Sequence, residues 1–227
     1  MNRREASITA SRTVYLDLNT TGLEVDQGHR IIEIGTAERI DADGWRFMHG
    51  RLNPGRPIDP GAAAVHGIES WTLQGQPGFA EIAGELLERI RGADLVMRNA
   101  AFRVGFLDAE LRRLGPAWGT VADHCHVTCL TALARQRLPG VKTSLGNLCA
   151  YFGIPIMFPT ALIDAHLVAA VHEALLRRVP GKPATSHHIC PECGGSLRCL
   201  GITSVKLWYC EDEQKCGWRT WAPSGAA

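Results

Sequence analysis

The sequence predicts an α/β layer fold on three observations. Three strand-like segments come first, helices and strands alternate after them, and a long helix then ends at a proline–glycine break. Residues 12–18, 30–40 and 45–52 read as β-strands. The first two carry apolar or β-branched runs, and Gly44 marks the turn into the third. Residues 79–91 place Ile82, Leu86, Leu87 and Ile90 at helical spacing. Asp94-Leu-Val-Met97 is short and apolar, as a buried strand would be. Residues 101–114 predict an amphipathic helix stopped by Gly115-Pro116. Residues 129–138 and 144–152 predict shorter helices, and residues 161–179 a long one stopped by Pro180-Gly181.

Length and composition fit a main domain with a small accessory module. A chain of 227 residues, 45% hydrophobic and 21% charged, can bury one substantial core. The net charge of +1 gives no overall basic field that would announce a nucleic acid. No apolar run approaches the ~18 residues of a membrane span, so no membrane partner is expected. The opening Met1-Asn-Arg-Arg-Glu-Ala-Ser lacks the apolar segment of a secretory signal. It predicts a short flexible tail over 1–11 and a cytoplasmic setting.

Several ordered blocks then carry a specific resemblance. Val14-Tyr-Leu-Asp-Leu-Asn-Thr-Thr-Gly-Leu23 is a strand running into a turn, followed by Gly28-His-Arg-Ile-Ile-Glu-Ile-Gly35. Leu52-Asn-Pro-Gly-Arg-Pro-Ile-Asp-Pro60 leads to Val65-His-Gly-Ile68, and Asn99-Ala-Ala-Phe-Arg-Val-Gly-Phe-Leu-Asp-Ala-Glu-Leu111 lies further on. Thr143-Ser-Leu-Gly-Asn-Leu-Cys-Ala-Tyr-Phe-Gly-Ile154 and Ala161-Leu-Ile-Asp-Ala-His-Leu-Val-Ala169 close the set. Together, over roughly residues 12–178, these blocks resemble the DEDDh 3′–5′ exonucleases, the family of the DNA polymerase III epsilon subunit. The resemblance implies an RNase H-like fold for the α/β body.

Carried over position by position, the resemblance also implies an altered active site. The family's first strand ends Asp-x-Glu-Thr-Thr-Gly; here Asp17 is present and the glutamate is Asn19. Arg103 stands in place of the acid that follows Asn-Ala-x-Phe. The last acid is Asp164, and Pro159 stands where the general-base histidine would lie, five residues earlier. Cys129 falls where the family often has another acid. Two-metal hydrolysis needs two divalent cations held mainly by carboxylate oxygens. Asn19 offers one neutral oxygen, and Arg103 offers only donors and a permanent positive charge. Arg103 is therefore expected to turn inward, pair with Asp17 or Asp164, and stand in for a metal. Asn19 could still support a single Mg²⁺ or Mn²⁺ together with the two acids. His166 is a poor substitute base, because two residues along a helix face nearly opposite sides.

Other candidates in the body concern nucleic acid. Thr20, Thr21 and Gly22 form a turn whose N–H groups could meet a phosphate or a terminal nucleotide. His66 could approach a nucleic-acid backbone, as the resembling segment does, or serve as a helix-end structural histidine. Asn99 could contact substrate or cap the following helix, and Arg103 is a further candidate nucleic-acid contact. Glu33 reads as a structural acid within its strand.

Beyond residue 179 the composition changes. Residues 180–189 are a linker of turn-formers, 190–221 a small module, and 222–227 a tail. Cys190 and Cys193, then Cys210 and Cys216, are spaced for a tetrahedral zinc ribbon, in which metal would supply folding free energy. Disulfides are the alternative, but nothing in the sequence indicates secretion. Cys199, His187 and His188 are substitute ligands. Trp208, Tyr209, Trp218 and Trp221 could stack bases or dock on a protein.

The favoured function is an exonuclease-fold protein without catalysis. It would bind single-stranded DNA or RNA and serve as a subunit or adaptor of a nucleic-acid-processing complex. The alternatives are an atypical 3′–5′ exonuclease using Mg²⁺ or Mn²⁺, and a protein-interaction module that binds no nucleic acid.

Overall fold

Strand β1 (Thr13–Thr20) lies at the centre of a sheet, and its alternation builds two cores at once. Val14, Leu16 and Leu18 point to one face, while Tyr15 and Asp17 point to the other. A computed structural model describes residues 12–41, 44–156 and 160–177, and, as backbone, 188–189, 196–202, 205–210 and 219–223. The main sheet has the order β3-β2-β1-β4-β5. β2 (Ile31–Arg39) and β3 (Trp45–Arg51) run antiparallel to their neighbours, whereas β4 (Asp94–Met97) and β5 (His126–Cys129) run parallel to β1. A meander of three strands followed by parallel crossovers is the predicted α/β, RNase H-like arrangement.

Helices cover both faces. α1 (Pro60–His66) and α2 (Phe79–Ile90) lie between β3 and β4, and α3 (Ala100–Leu114) follows β4. Phe79, Ala83, Leu86, Leu87, Phe106 and Leu107 of α2 and α3 pack with Val14, Leu16 and Leu18. After α4 (Val121–His124) come α5 (Leu130–Arg137), α6 (Leu145–Phe152) and α7 (Ala161–Leu176), whose apolar residues pack on the Tyr15 face. The long helix is apolar on more than one side because it is buried between the sheet and α5 and α6.

Two elements carry no signal in the sequence. Residues 126–128 were not expected to be a strand, yet β5 occupies His126–Cys129 and the helix starts one residue later, at Leu130. A four-residue edge strand with one strongly apolar position, Val127, leaves no periodic trace; pairing with β4 alone defines it. The short helix α4 also had no signal beyond Thr120 and Asp123, which form its capping box.

A second sheet has the order β6-β7-β8-β9, all antiparallel, from β6 (His188–Ile189), β7 (Ser196–Ile202), β8 (Val205–Cys210) and β9 (Arg219–Pro223). Cys210 ends β8 opposite Leu197. The expected tail 1–11, most of the linker, Cys190, Cys193, Cys216 and Pro159 lie outside the described residues.

Candidate functional site

Asp17 sits near the end of β1 on the face covered by α7, directly opposite Gly35 of β2. A Cβ on Gly35 would overlap the backbone of Ala161 and Leu162, so only glycine lets the first turn of α7 lie against the sheet there. That close approach brings Asp164 beside Asp17. The start of the helix is secured twice. Thr160 accepts from the Ile163 N–H at 3.2 Å, and the Glu33 carboxylate accepts from the Ala161 N–H at 2.9 Å. Both satisfy donors that a helix N-terminus otherwise leaves unpaired, and the anion suits the positive helix end.

Arg103 turns inward from the first turn of α3. It is 3% exposed, and its Nε donates to Asp17 Oδ1 at 2.5 Å, with Nη2 also on Oδ1. Its Nη1 donates to the Arg98 carbonyl at 2.8 Å. A second guanidinium, not anticipated from the sequence, completes the cluster. Arg98 Nε donates to Asp17 Oδ2 at 2.8 Å, and Nη2 reaches Asp164 Oδ2 at 3.5 Å. Both oxygens of Asp17 are therefore occupied by guanidinium donors, with the Leu18 N–H a further donor to Oδ1 at 2.7 Å. Two carboxylates face two guanidiniums, and their formal charges cancel.

Arg98 lay one step beyond the sequence signal. It follows the last residue of β4, and the parallel register pairs Tyr15 with Val96. Two residues further along, that ladder sets Arg98 level with Asp17. Only the pairing of β1 with β4 exposes this.

Asn19 makes no hydrogen bond to Asp17 or Asp164 among the described residues. Its side-chain amide donates to Glu33 at 2.7 Å, and Glu33 also meets His49 at 3.0 Å. Buried Glu33 thus acts as the structural acid expected of it. His166 lies 4.7 Å from the Trp45 ring and 5.6 Å from that of Phe47, centroid to centroid, at the outer edge of the sheet. Burial there pushes its pKa down to about 4.

A cleft of about 640 Å³ opens beside this cluster, lined among others by Asn19, Thr20, Gly22, His66, Arg98 and Asn99. Thr21 does not reach it. That residue is fully buried, its N–H donates to the Arg30 carbonyl at 2.9 Å, and its hydroxyl contacts His29 Nδ1 at 2.9 Å. The expected donor of the turn is spent on the hairpin, where the β1–β2 register shifts after Asn19. Gly22 packs on the His29 ring so closely that a Cβ would overlap it. His66 ends α1 and accepts the Ile68 N–H at 3.0 Å, so it is both a helix-end histidine and a cleft residue. Burial lowers its pKa. Asn99 precedes α3 with φ 44°, a left-handed conformation, and makes no side-chain cap.

Asp164 is raised to about 6, because burial and the negative charge of Asp17 outweigh the two guanidiniums. An acid that holds its proton more tightly when folded destabilises the fold as it ionises. Stability is therefore expected to fall between pH 4 and 6 as Asp164 titrates, with the full penalty present above pH 6. Urea denaturation of wild type and Asp164→Asn across this range should show that component in the wild type and not in the variant.

The sequence matches the family described as Exonuclease over residues 14–172. The chain belongs to that family. DNA polymerase III subunit epsilon of Escherichia coli (strain K12) is 40% identical over 178 residues, spanning 74% of this chain and 73% of the relative. The protein of the same name from Rickettsia felis is 35% identical over 172 residues, 74% and 75% of the two chains. Exonuclease X, solved in complex with 5′ overhanging duplex DNA, aligns with a TM-score of 0.55 at 25% identity over 73% of this chain and 91% of its own. Exonuclease I at 16% identity shares the fold, with a TM-score of 0.59 over 74% of this chain and 44% of its own. The DEDDh resemblance read from the sequence is thus a family relationship.

Exonucleases of this family use divalent Mg²⁺ or Mn²⁺, which makes the donor set here the deciding comparison. Around Asp17 the neighbours are guanidiniums, which carry no lone pair and repel a cation. Among the described residues no group of three or more His, Cys, Asp or Glu could hold a metal ion. The residues present do not fit a pair of divalent ions.

Proposed function

We propose that this chain is a non-hydrolysing member of the exonuclease family, which binds single-stranded nucleic acid as a subunit or adaptor of a nucleic-acid-processing complex. The observation that carries this reading is the buried Arg103–Asp17 pair, which commits the first catalytic-type acid to a guanidinium. Asn19 bonded to Glu33 and proline at position 159 point the same way. Asp17 and Asp164 are then remnants of a catalytic set, and Asn19, Arg103 and Pro159 occupy the places of missing members.

The cleft supports nucleic acid as the ligand. Leu23 and Val65 on its rim are 73% and 81% exposed, and Phe102 also lines it. Apolar and aromatic walls beside a polar floor suit a base with its sugar–phosphate. Thr20, Gly22, His66 and Asn99 are the polar contacts this reading assigns, with Thr21 behind them as support. The relatives' names, a DNA polymerase III subunit and an exonuclease solved with DNA, fit a replication or repair assembly. No helix among the described residues is long and apolar enough to cross a membrane. A reducing, cytoplasmic compartment agrees with the free thiols of Cys125, Cys129 and Cys149.

The test is degradation of 5′-labelled single-stranded DNA and RNA with Mg²⁺ or Mn²⁺, beside an identically prepared Asp164→Asn protein. The expected result is binding without stepwise 3′ shortening. Shortening by wild type that disappears in the variant would establish the atypical exonuclease instead. No binding would leave the protein-interaction reading.

The same proposal assigns a structural zinc to Cys190, Cys193, Cys210 and Cys216. Metal analysis of purified protein is expected to return about one zinc per chain. Cys190→Ser/Cys193→Ser should lose it, and undiminished zinc in that variant would reject the assignment.

A further inference from the structure

We infer that Arg98 is the phosphate-recognising residue of the cleft: its open Nη1 end donates to a non-bridging oxygen of a single strand's phosphodiester, so binding needs no divalent cation. This inference rests on the nucleic-acid reading above and names the group that performs it.

The two guanidiniums of the cluster differ in what they have left to give. Arg103 is 3% exposed and spends Nε, Nη1 and Nη2 on Asp17 and the Arg98 carbonyl. The Arg98 side chain is 36% exposed and lines the cleft. Its Nε and Nη2 are held by Asp17 and Asp164, while among the described residues no hydrogen bond is made by Nη1. A guanidinium has five N–H donors in a planar fork, so the two on Nη1 remain for a ligand. Holding one edge of the fork with two carboxylates fixes the other edge in place. The entropy of ordering a long side chain is therefore met within the protein, not at the moment of binding.

The chemistry that matches a fixed pair of N–H donors is an anionic oxygen with spare lone pairs. The surrounding walls narrow the class to a nucleotide strand. Phe102 and the exposed Leu23 and Val65 line the same cleft and offer apolar contact to a base, which inorganic phosphate or a carboxylate ligand would leave unused. The cluster is formally neutral, so what Arg98 offers a phosphodiester is the pair of oriented N–H donors left on Nη1.

The experiment is fluorescence anisotropy in EDTA with a short 5′-labelled DNA strand. Single methylphosphonate linkages, which remove one negative charge each, are placed in turn near the 3′ end. In wild type, one neutral linkage is expected to weaken binding about tenfold or more, as loss of a charge-assisted hydrogen bond does. Arg98→Gln, shown to be folded by its circular dichroism and melting curve, should bind the unmodified strand with the same loss and be indifferent to that linkage. Wild type that binds but tolerates every neutral linkage would overturn the assignment to Arg98 while leaving the nucleic-acid reading standing. So would an Arg98→Gln protein that still senses the critical linkage. Wild type that does not bind in EDTA, even with Mg²⁺ restored, overturns both. Binding only after Mg²⁺ is restored overturns the cation-free claim alone.

Discussion

Asp17→Ala is expected to lower the unfolding free energy by about 3–5 kcal/mol, the usual result of stripping one partner from a buried ion pair. The remaining Arg103 guanidinium would be 3% exposed with its anion gone and only the Arg98 carbonyl to accept from it. Arg98 would lose its 2.8 Å bond as well. Set against a typical domain stability of roughly 5–15 kcal/mol, that is a large share. Urea denaturation at neutral pH measures it. The sign is diagnostic, because an acid crowded among other acids and awaiting metal would be stabilising to remove. A loss below about 1 kcal/mol, the size of an exposed pair, would mean that the two side chains do not meet in solution. Replacing both partners by apolar groups of similar volume, Asp17→Leu with Arg103→Met, should recover much of the loss, since no unpaired charge then remains buried.

Gly35→Ala is the second large effect. Its new methyl would overlap the backbone of Ala161 and Leu162, and backbone cannot swing aside as a side chain can. The start of α7 must lift from the sheet, lengthening the 2.9 Å bond from the Ala161 N–H to Glu33 and drawing Asp164 from Arg98. Overpacking of this kind costs about 1–3 kcal/mol, and more where the obstacle is rigid. At about 2–4 °C per kcal/mol for a chain of this size, the melting temperature should drop visibly. Gly84→Ala is the internal comparison. Gly84 is exposed in the middle of α2 and a Cβ there meets nothing, so that change should be neutral or stabilising by up to about 1 kcal/mol. Equal behaviour of the two variants would remove the argument that Gly35 sets the position of α7.

What could be read in the sequence followed the length of each signal. Helices and strands with several apolar positions, such as residues 79–91 and the two first strands, were legible to within a residue or two. β5 was not, since four residues beginning with histidine carry no usable period and their strand state comes from β4. In the candidate site, Arg103 was legible because the surrounding motif fixes its place and an inward cation needs an anion. Arg98 was not, because its meeting with Asp17 depends on which strands are neighbours. Thr21 misled for the reverse reason: its turn looks open, but the partner strand consumes the N–H through Arg30.

The Arg103–Asp17 pair also separates this cleft from a metal-filled one in mutational space. Changing Arg103 alone to aspartate would bury two acids together with only Arg98 to offset them, and changing Asn19 alone to glutamate would face it with Glu33, the partner of its amide. Each single step raises the energy of the folded chain before any benefit can arise. A guanidinium-filled and a metal-filled version of this site are therefore separated by single changes that each cost folding stability, a cost that paired changes reduce.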